Sequence, residues 1–331
     1  MSNIREVARL AGVSVATVSR ALSQPDKVAE ATRERVMDAV EKINYRPNML
    51  ARNFRSTRSY SLVVLVPDIA NPFFALVIRS IERQAQKKGY AVLLGDTQDS
   101  SEREQEYIRM VETRLADGII QLRPVSDQFQ NSNAFSFPYL NLCATESTPG
   151  ASVRVDNAHA FQHMTEYLIS LGHRRIGLIT GLKANPHTID RLKGYRQALQ
   201  NAGISFDEKL IAEGEYVIWS GVNAANTLCD LSEPPTAIAC MNDEMAIGAI
   251  QALKSRGLRI PEDVSVTGFD DISYARYCDP PLTTIAQPAD DMGSIGVDIL
   301  LRLIDGEQLS HDEHVLPYDF IVRKSTAPAS I

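Results

Sequence analysis

Residues 1–22 read Met-Ser-Asn-Ile-Arg-Glu-Val-Ala-Arg-Leu-Ala-Gly-Val-Ser-Val-Ala-Thr-Val-Ser-Arg-Ala-Leu. Apolar positions recur at helical spacing on either side of Gly-Val-Ser, which predicts two short helices joined by a tight turn. Ile4, Val7, Ala8 and Ala11 share one face of the first helix, and Val18 and Leu22 share one face of the second. Gly12 stands where the turn needs a residue that accepts φ > 0. Ser14 is placed to cap the second helix through its side-chain oxygen. That leaves Val15, Ala16, Thr17, Ser19 and Arg20 around the start and outer face of the second helix. In a helix-turn-helix such positions face the DNA major groove. An ordinary helical hairpin would show the same spacing, so charge has to weigh in.

The 331-residue chain carries a net −7, which argues against nucleic acid when read as one number. Residues 1–60 hold eleven Lys/Arg and six Asp/Glu, a balance of +5, so the rest carries −12. A basic head on an acidic body has the charge distribution of a DNA-binding module fused to a second function. Val36, Ala39, Val40 and Ile43 recur at helical spacing and predict a third helix, opened or capped by Thr32 and ended before Pro47. Residues 1–45 are thus expected to form a three-helix headpiece, too small to bury much core.

Residues 46–60 read Arg-Pro-Asn-Met-Leu-Ala-Arg-Asn-Phe-Arg-Ser-Thr-Arg-Ser-Tyr. Met49, Leu50 and Phe54 are large apolar groups in an arginine-rich connector, where polar residues are the norm. Asn48 can cap a short helix there, but one this brief needs a partner chain or DNA to form. Apolar wedges beside arginines suit insertion into the minor groove. The alternative is that Leu50 and Phe54 dock on the body.

Taken together, Ile-Arg-Glu-Val-Ala at 4–8, Gly-Val-Ser at 12–14, Thr-Val-Ser-Arg-Ala-Leu at 17–22, Tyr-Arg-Pro-Asn at 45–48 and Leu-Ala-Arg at 50–52 resemble the LacI/GalR family of bacterial repressors. The resemblance implies a hinge helix over 46–59 that folds on operator DNA and inserts an apolar residue at a central base step. It makes Asn48, Leu50, Ala51, Arg52 and Phe54 operator contacts. Alignment on Ala51-Arg52 makes Phe54 the inserting residue, where the family usually has leucine.

Beyond residue 60, β-branched runs alternate with helical patterns. Strands are expected at 61–67, 91–94, 118–122, 139–142, 152–155, 176–180, 216–218, 237–240 and 265–267. Helices are expected at 74–88, 102–115, 157–171, 190–202, 221–231 and 244–256. This alternation predicts an α/β body of parallel sheets with helices on both faces, in two lobes. The first lobe is expected over about 60–155 and 287–317, the second over about 156–286 and 318–331. The whole body, 60–331, is expected to bind ligand and to dimerise. Motifs at 67–74 (Pro-Asp-Ile-Ala-Asn-Pro-Phe-Phe), 171–177, 190–195, 242–248 and 266–271 resemble the periplasmic-binding-protein-like body of the same family. Residues 278–288 and 14–22, apart from Val15, most resemble its cytidine-responsive branch.

Ligands of such sheets bind beyond the carboxyl ends of the strands, here in the cleft between the lobes. Asp68 and Asn71-Pro72-Phe73 follow the first strand, and Asn242-Asp243 and Asp270 follow strands of the second lobe. Arg191 is expected to open a helix, whose N-terminus favours anions and hydroxyl oxygens. Carboxylates with an arginine suit vicinal hydroxyls, and aromatics stack on sugar or base faces. The family resemblance implies Arg191, Asn242 and Asp270 as ligand contacts, Phe73 and Tyr216 as stacking walls and Gln287 near the cleft. The local alternative for each carboxylate is a helix cap or a turn. Arg123, at a strand end, either reads an anionic or carbonyl group or pairs with Asp96 or Asp127. Trp219 is equally suited to the cleft rim or a core position.

Residues 1–12 are mixed and charged and no apolar run approaches ~20 residues, so a cytoplasmic chain is expected. The four cysteines show no Cys-x-x-Cys spacing. His159 and His163, four apart, are expected on an exposed helix face, without metal. No phosphate-cradling glycine loop or nucleophile elbow occurs, so neither enzyme nor cofactor is expected. The competing class is a solute-binding protein or α/β enzyme carrying a helical head. The basic head favours a homodimeric regulator on a pseudo-palindromic operator, controlled by a nucleoside or else a sugar or amino sugar, with room for a protein co-regulator.

Overall fold

The computed structural model describes residues 3–23, 25–45, 58–123, 137–146, 148, 150–309 and 313–329. The chain divides into Met1–Ser59 and Tyr60–Ile331.

In the first unit, α1 spans Ile4–Ala11, α2 Val15–Ser23 and α3 Glu30–Lys42. Asn3 caps α1, its side chain accepting from the Glu6 N–H at 3.0 Å. Gly12 ends α1 in the left-handed region at φ 65°, a conformation that strains any side chain. Ser14 Oγ accepts from the Thr17 N–H at 3.1 Å, as its place before α2 predicts. The third helix opens at Glu30 after Ala29, so Thr32 lies inside it and does not cap it. Val7, Ala8, Ala11, Val18, Ala21, Val36 and Ala39 close a small core.

In the second unit, the first lobe contains β1 (Ser61–Val66), α4 (Pro72–Lys87), β2 (Ala91–Asp96) and α5 (Ser101–Glu112). It continues with β3 (Gly118–Gln121), β4 (Tyr139–Leu142) and β5 (Ser152–Val155). The second lobe contains α6 (Asn157–Ser170), β6 (Ile176–Thr180), α7 (Pro186–Asn201) and β7 (Ile211–Glu213). Then come α8 (Ile218–Cys229), β8 (Ala237–Cys240), α9 (Asp243–Ser255), β9 (Ser265–Asp270) and β10 (Thr283–Ala286). The chain returns to the first lobe for α10 (Ala289–Ile304) and β11 (Glu313–Leu316), then crosses back for β12 (Asp319–Ile321).

The sheet orders are β11-β5-β4-β3-β1-β2 and β12-β10-β9-β8-β6-β7. Every pairing is parallel except β10 with β12. The expected α/β class of two parallel-sheet lobes is therefore the observed one. The strand order reverses between β1 and β3 in one lobe and between β6 and β8 in the other. The carboxyl ends of those strands are where an open sheet leaves a crevice. Fully buried runs such as Leu62–Val66 and Ile176–Thr180 explain the continuous apolar signal, since both faces of these interior strands are covered.

Several expectations are overturned. Tyr216–Ile218 is no strand: Tyr216 is left-handed at φ 61°, and Ile218 begins α8. The edge strand of that lobe is Ile211–Glu213 instead. The α7 helix starts four residues before Asp190, so Arg191 lies in its second turn and does not open it. Helix α10 and strands β10 to β12 have no counterpart among the expected elements. No described helix is long and apolar enough to cross a membrane.

The lobes are stitched as well as linked. Ile272, two residues past the end of β9, is 1 % exposed and packs within the first lobe's apolar cluster with Leu62, Phe73 and Leu142.

Candidate effector cleft

A cavity of about 410 Å³ opens between the lobes. From the first lobe it is lined by Asp68, Phe73, Phe74, Asp99, Arg123 and Cys143, among others. From the second lobe, Asn157, His187, Arg191, Tyr216, Asn242 and Asp270 face it, and Gln287 stands on the crossover after β10. Eight of the nine sequence candidates meet here. The exception is Asp243. Its carboxylate is fully buried, accepting from Thr284 Oγ1 at 2.6 Å and from the Ile272 N–H at 2.8 Å. It holds the segment after β9 rather than facing the cleft.

The two walls are built by one device. Asn71 and Asn185 cap α4 and α7, each followed by proline at the first helical position. Their side chains accept from the N–H groups of Phe73 and His187, both at 2.9 Å. Proline costs nothing there, because the missing N–H has no intrahelical partner. Asn242 caps α9, accepting from the Met245 N–H at 2.9 Å while its amide donates to the Tyr216 carbonyl at 2.9 Å. That bond holds Tyr216 in its left-handed turn. Its hydroxyl is 2.7 Å from Thr188 Oγ1, and burial raises its pKa.

Arg191 is the centre of the second-lobe wall. It is 5 % exposed, its guanidinium lies 3.7 Å from the Phe269 ring centroid, and its Nε donates to Asn157 Oδ1 at 2.9 Å. Another nitrogen donates to the Met241 carbonyl, and Nη2 stands 3.9 Å from Asp270 Oδ1. Asp270 also accepts from Gln287 Nε2 at 2.7 Å. Two forces oppose each other at this carboxyl. Burial favours the neutral acid, while Arg191 and Gln287 favour the anion; burial wins and pushes the pKa up to about 6. Burial, then the Arg191 charge, pushes His187 down to about 3, so its ring is neutral. Glu244 is pushed up to about 7 by burial, then by Asp270 and Asp68. Cys143, Tyr216 and Asp270 all line the cleft and all have positive φ without being glycine. Backbone strain of this kind concentrates at functional sites.

Arg123 pairs with Asp99 and with Glu104, each at 2.7 Å, rather than with Asp96; Asp127 lies outside the described residues. Trp219 is exposed, not core. Asn157, His187, Cys143 and Asp99 were missed by sequence reasoning. The repeat of Asn-Pro before an aromatic ring, at 71–73 and 185–187, is the signal that could have found His187.

In the first unit, Ala16 and Arg20 are exposed on α2, while Ser14 is exposed before it. Val15, Thr17 and Ser19 are half-buried, Val15 against the small core. Asn48, Leu50, Ala51, Arg52 and Phe54 lie outside the described residues. His159 and His163 are exposed on α6 with both Nδ1 atoms near Tyr318 Oη, at 2.8 and 3.3 Å.

The family profile described as bacterial regulatory proteins, lacI family, matches residues 3–48, and a periplasmic binding protein-like domain matches 165–326. The chain is 39 % identical to the HTH-type transcriptional repressor CytR of Escherichia coli K12, over 98 % of this chain and 96 % of that protein. It superposes with a TM-score of 0.90 at 29 % identity on the crystal structure of the Lac repressor dimer bound to operator and the anti-inducer ONPF, covering 98 % of this chain and 99 % of that one. A LacI family regulator from Enterococcus faecium with bound ribose matches at 31 % identity and a TM-score of 0.74, over 82 % of this chain and all of that one. The chain belongs to the lacI family of bacterial regulatory proteins.

Proposed function

We propose that this chain is a homodimeric transcriptional repressor whose operator affinity is set by a nucleoside, such as cytidine, in the interlobe cleft. The observation that carries the ligand reading is the buried set of Arg191, Asp270 and Asn157, with the half-buried Gln287, facing Phe73 and Phe74 across one cavity. An arginine beside a carboxylate offers donors and an acceptor to vicinal hydroxyls, and aromatic walls suit a base. The relative with bound ribose supports a pentose, which a nucleoside contains, and also supports the second reading, a free sugar.

Each headpiece reads one half-site through Ser14, Val15, Ala16, Thr17, Ser19 and Arg20, so a two-fold dimer matches a pseudo-palindrome. Asn48, Leu50, Ala51, Arg52 and Phe54 engage the minor groove between half-sites. Effector binding shifts operator affinity by a coupling energy of about 1–3 kcal/mol.

The test is a thermal-shift series with cytidine, other nucleosides and ribose, followed by operator titration with and without whichever ligand raises the melting temperature. A shift with cytidine and a changed operator affinity support the reading. A shift with free sugars alone replaces it with the second.

A further inference from the structure

The first-lobe wall holds a polar relay built on Arg123, Glu104, Gln121 and Tyr139. Arg123 follows β3 with its side chain 20 % exposed, and its Nη1 is 2.7 Å from Asp99 Oδ1. Its Nη2 is 2.7 Å from Glu104 Oε1, on a carboxylate only 1 % exposed. Behind them, Gln121 Nε2 donates to Glu104 at 3.2 Å and Tyr139 Oη donates to Gln121 at 2.8 Å. Among the described residues the relay is incompletely satisfied: Glu104 Oε2 and Arg123 Nε are buried without a partner. Buried polar groups left in that state are costly, and they are kept where they position something. What they position is the guanidinium edge, with Asp99 beside it, 61 % exposed and on the cleft lining.

The charge of the cleft limits what that edge can read. Among the described residues lining it, Asp68, Asp99, Glu215 and Asp270 face Arg123 and Arg191. Arg123 already has two carboxylate partners, and Arg191 stands against Asp270. Helix N-termini, the other usual home of a phosphate, are mostly occupied as well. Asn71 and Asn185 cap two helices whose first turns line the cleft, Asp156 caps a third, α6, and Asn242 caps α9. Proline removes a further donor at the first two. Helix α8, which opens after the cleft residue Val217, has no side-chain cap and is preceded by Glu215.

We propose that the effector is uncharged and unphosphorylated, and that Arg123 and Asp99 together read it as an acceptor next to a donor. Each Nη of Arg123 keeps a second N–H for the ligand's acceptor, and the Asp99 carboxylate takes the adjacent donor. Glu104 is a positioning residue that fixes the guanidinium from behind. This rests on the effector-cleft reading above and narrows it.

The experiment is isothermal titration of the full chain with matched pairs: cytidine against cytidine 5′-monophosphate, and ribose against ribose 5-phosphate. Repulsion of about 1.4 kcal/mol is tenfold in affinity, so the unphosphorylated member of a pair is expected to bind at least about tenfold tighter. The Asp99→Asn variant removes an exposed carboxylate, and a melting curve checks its fold. It is expected to narrow that preference at least about threefold, because it frees one side of the Arg123 charge. Equal or tighter binding of the phosphorylated member overturns the inference while leaving a nucleoside or pentose reading standing. A ratio unchanged by Asp99→Asn overturns the role of the Arg123–Asp99 pair. Failure of both members of both pairs to bind overturns the effector reading itself, and the inference with it.

Discussion

The two walls of the cleft solve one problem with different degrees of completion. Both lobes present a helix capped by asparagine and opened by proline, at the same turn of the same topology. Above the second-lobe cap, Arg191 is stacked on Phe269, bonded to Asn157 and Met241, and nearly sealed from water. Above the first-lobe cap, Arg123 is part-exposed, and two polar atoms of its relay lack partners among the described residues. The second wall is rigid because its polar groups hold one another in place. The first wall presents a part-exposed guanidinium edge and the exposed Asp99 carboxylate, which makes it the side where ligand preference can vary without rebuilding the core.

The largest effect that would break this contrast comes from removing each arginine in turn. Arg191→Met leaves Asp270 buried without its cation and Asn157 without its donor, and a broken buried pair costs about 3–5 kcal/mol. Arg123→Met also leaves Glu104 buried without its cation, but it returns Asp99 to water and breaks no bond to Asn157 or Met241 and no stack on Phe269, so it should cost less. Equal losses in urea unfolding would show that the first wall is bound as tightly as the second.

A smaller effect sharpens the contrast through pH. An aspartate has a pKa near 3.9 when unfolded, and Asp270 stands at about 6 in the fold. The folded state therefore binds more protons between these values, and this group's contribution to stability falls as pH rises from about 4 to about 6. Above pH 6 the penalty is fully present, on the order of 3 kcal/mol at most; below pH 4 it is absent. Asp270→Asn should therefore gain stability relative to the parent over that window. Unfolding midpoints at pH 4 and pH 7 measure it, and a difference independent of pH would contradict the buried-acid account.

The smallest effect tests the likeness rather than the difference. Asn71→Ala and Asn185→Ala each remove one cap, so both should lose about 1 kcal/mol. Thermal melts that separate the two by a wide margin would mean the shared device is unequal in strength.

Much of this architecture was legible from residue patterns. Tyr139–Leu142, Ser152–Val155, Ile176–Thr180 and Ala237–Cys240 match the expected strands end to end; the last two do so because strands buried on both faces leave nearly continuous apolar runs, the first two despite Asn141 and Arg154. Strands β11 and β12 escaped notice because they are short sheet edges, half-buried at best, with little hydrophobic signal. Tyr216-Val217-Ile218 has strand propensity, yet the Asn242 bond to the Tyr216 carbonyl holds a left-handed turn there. In the cleft, Asp68, Arg191 and Asp270 could be placed because they follow strands or carry family motifs. Asn157 and His187 could not, since their approach to Arg191 depends on how α6 and α7 pack together. Asp243 misled for the opposite reason: a carboxylate at a strand end looks the same in sequence whether it faces a ligand or a backbone N–H.

Ile272 gives the cleft a mechanical character. Asp270 lines the cavity and, two residues on, an isoleucine from the same segment sits inside the other lobe's core. The lobes are thus buttoned together at the very place where a ligand would touch. Fully burying such a side chain is worth roughly 1.5–3 kcal/mol, and any motion that parts the sheets must draw it out. Opening is then not free swinging about the crossovers but the release of a catch, and whatever displaces Asp270 pulls on that catch through only two peptide units.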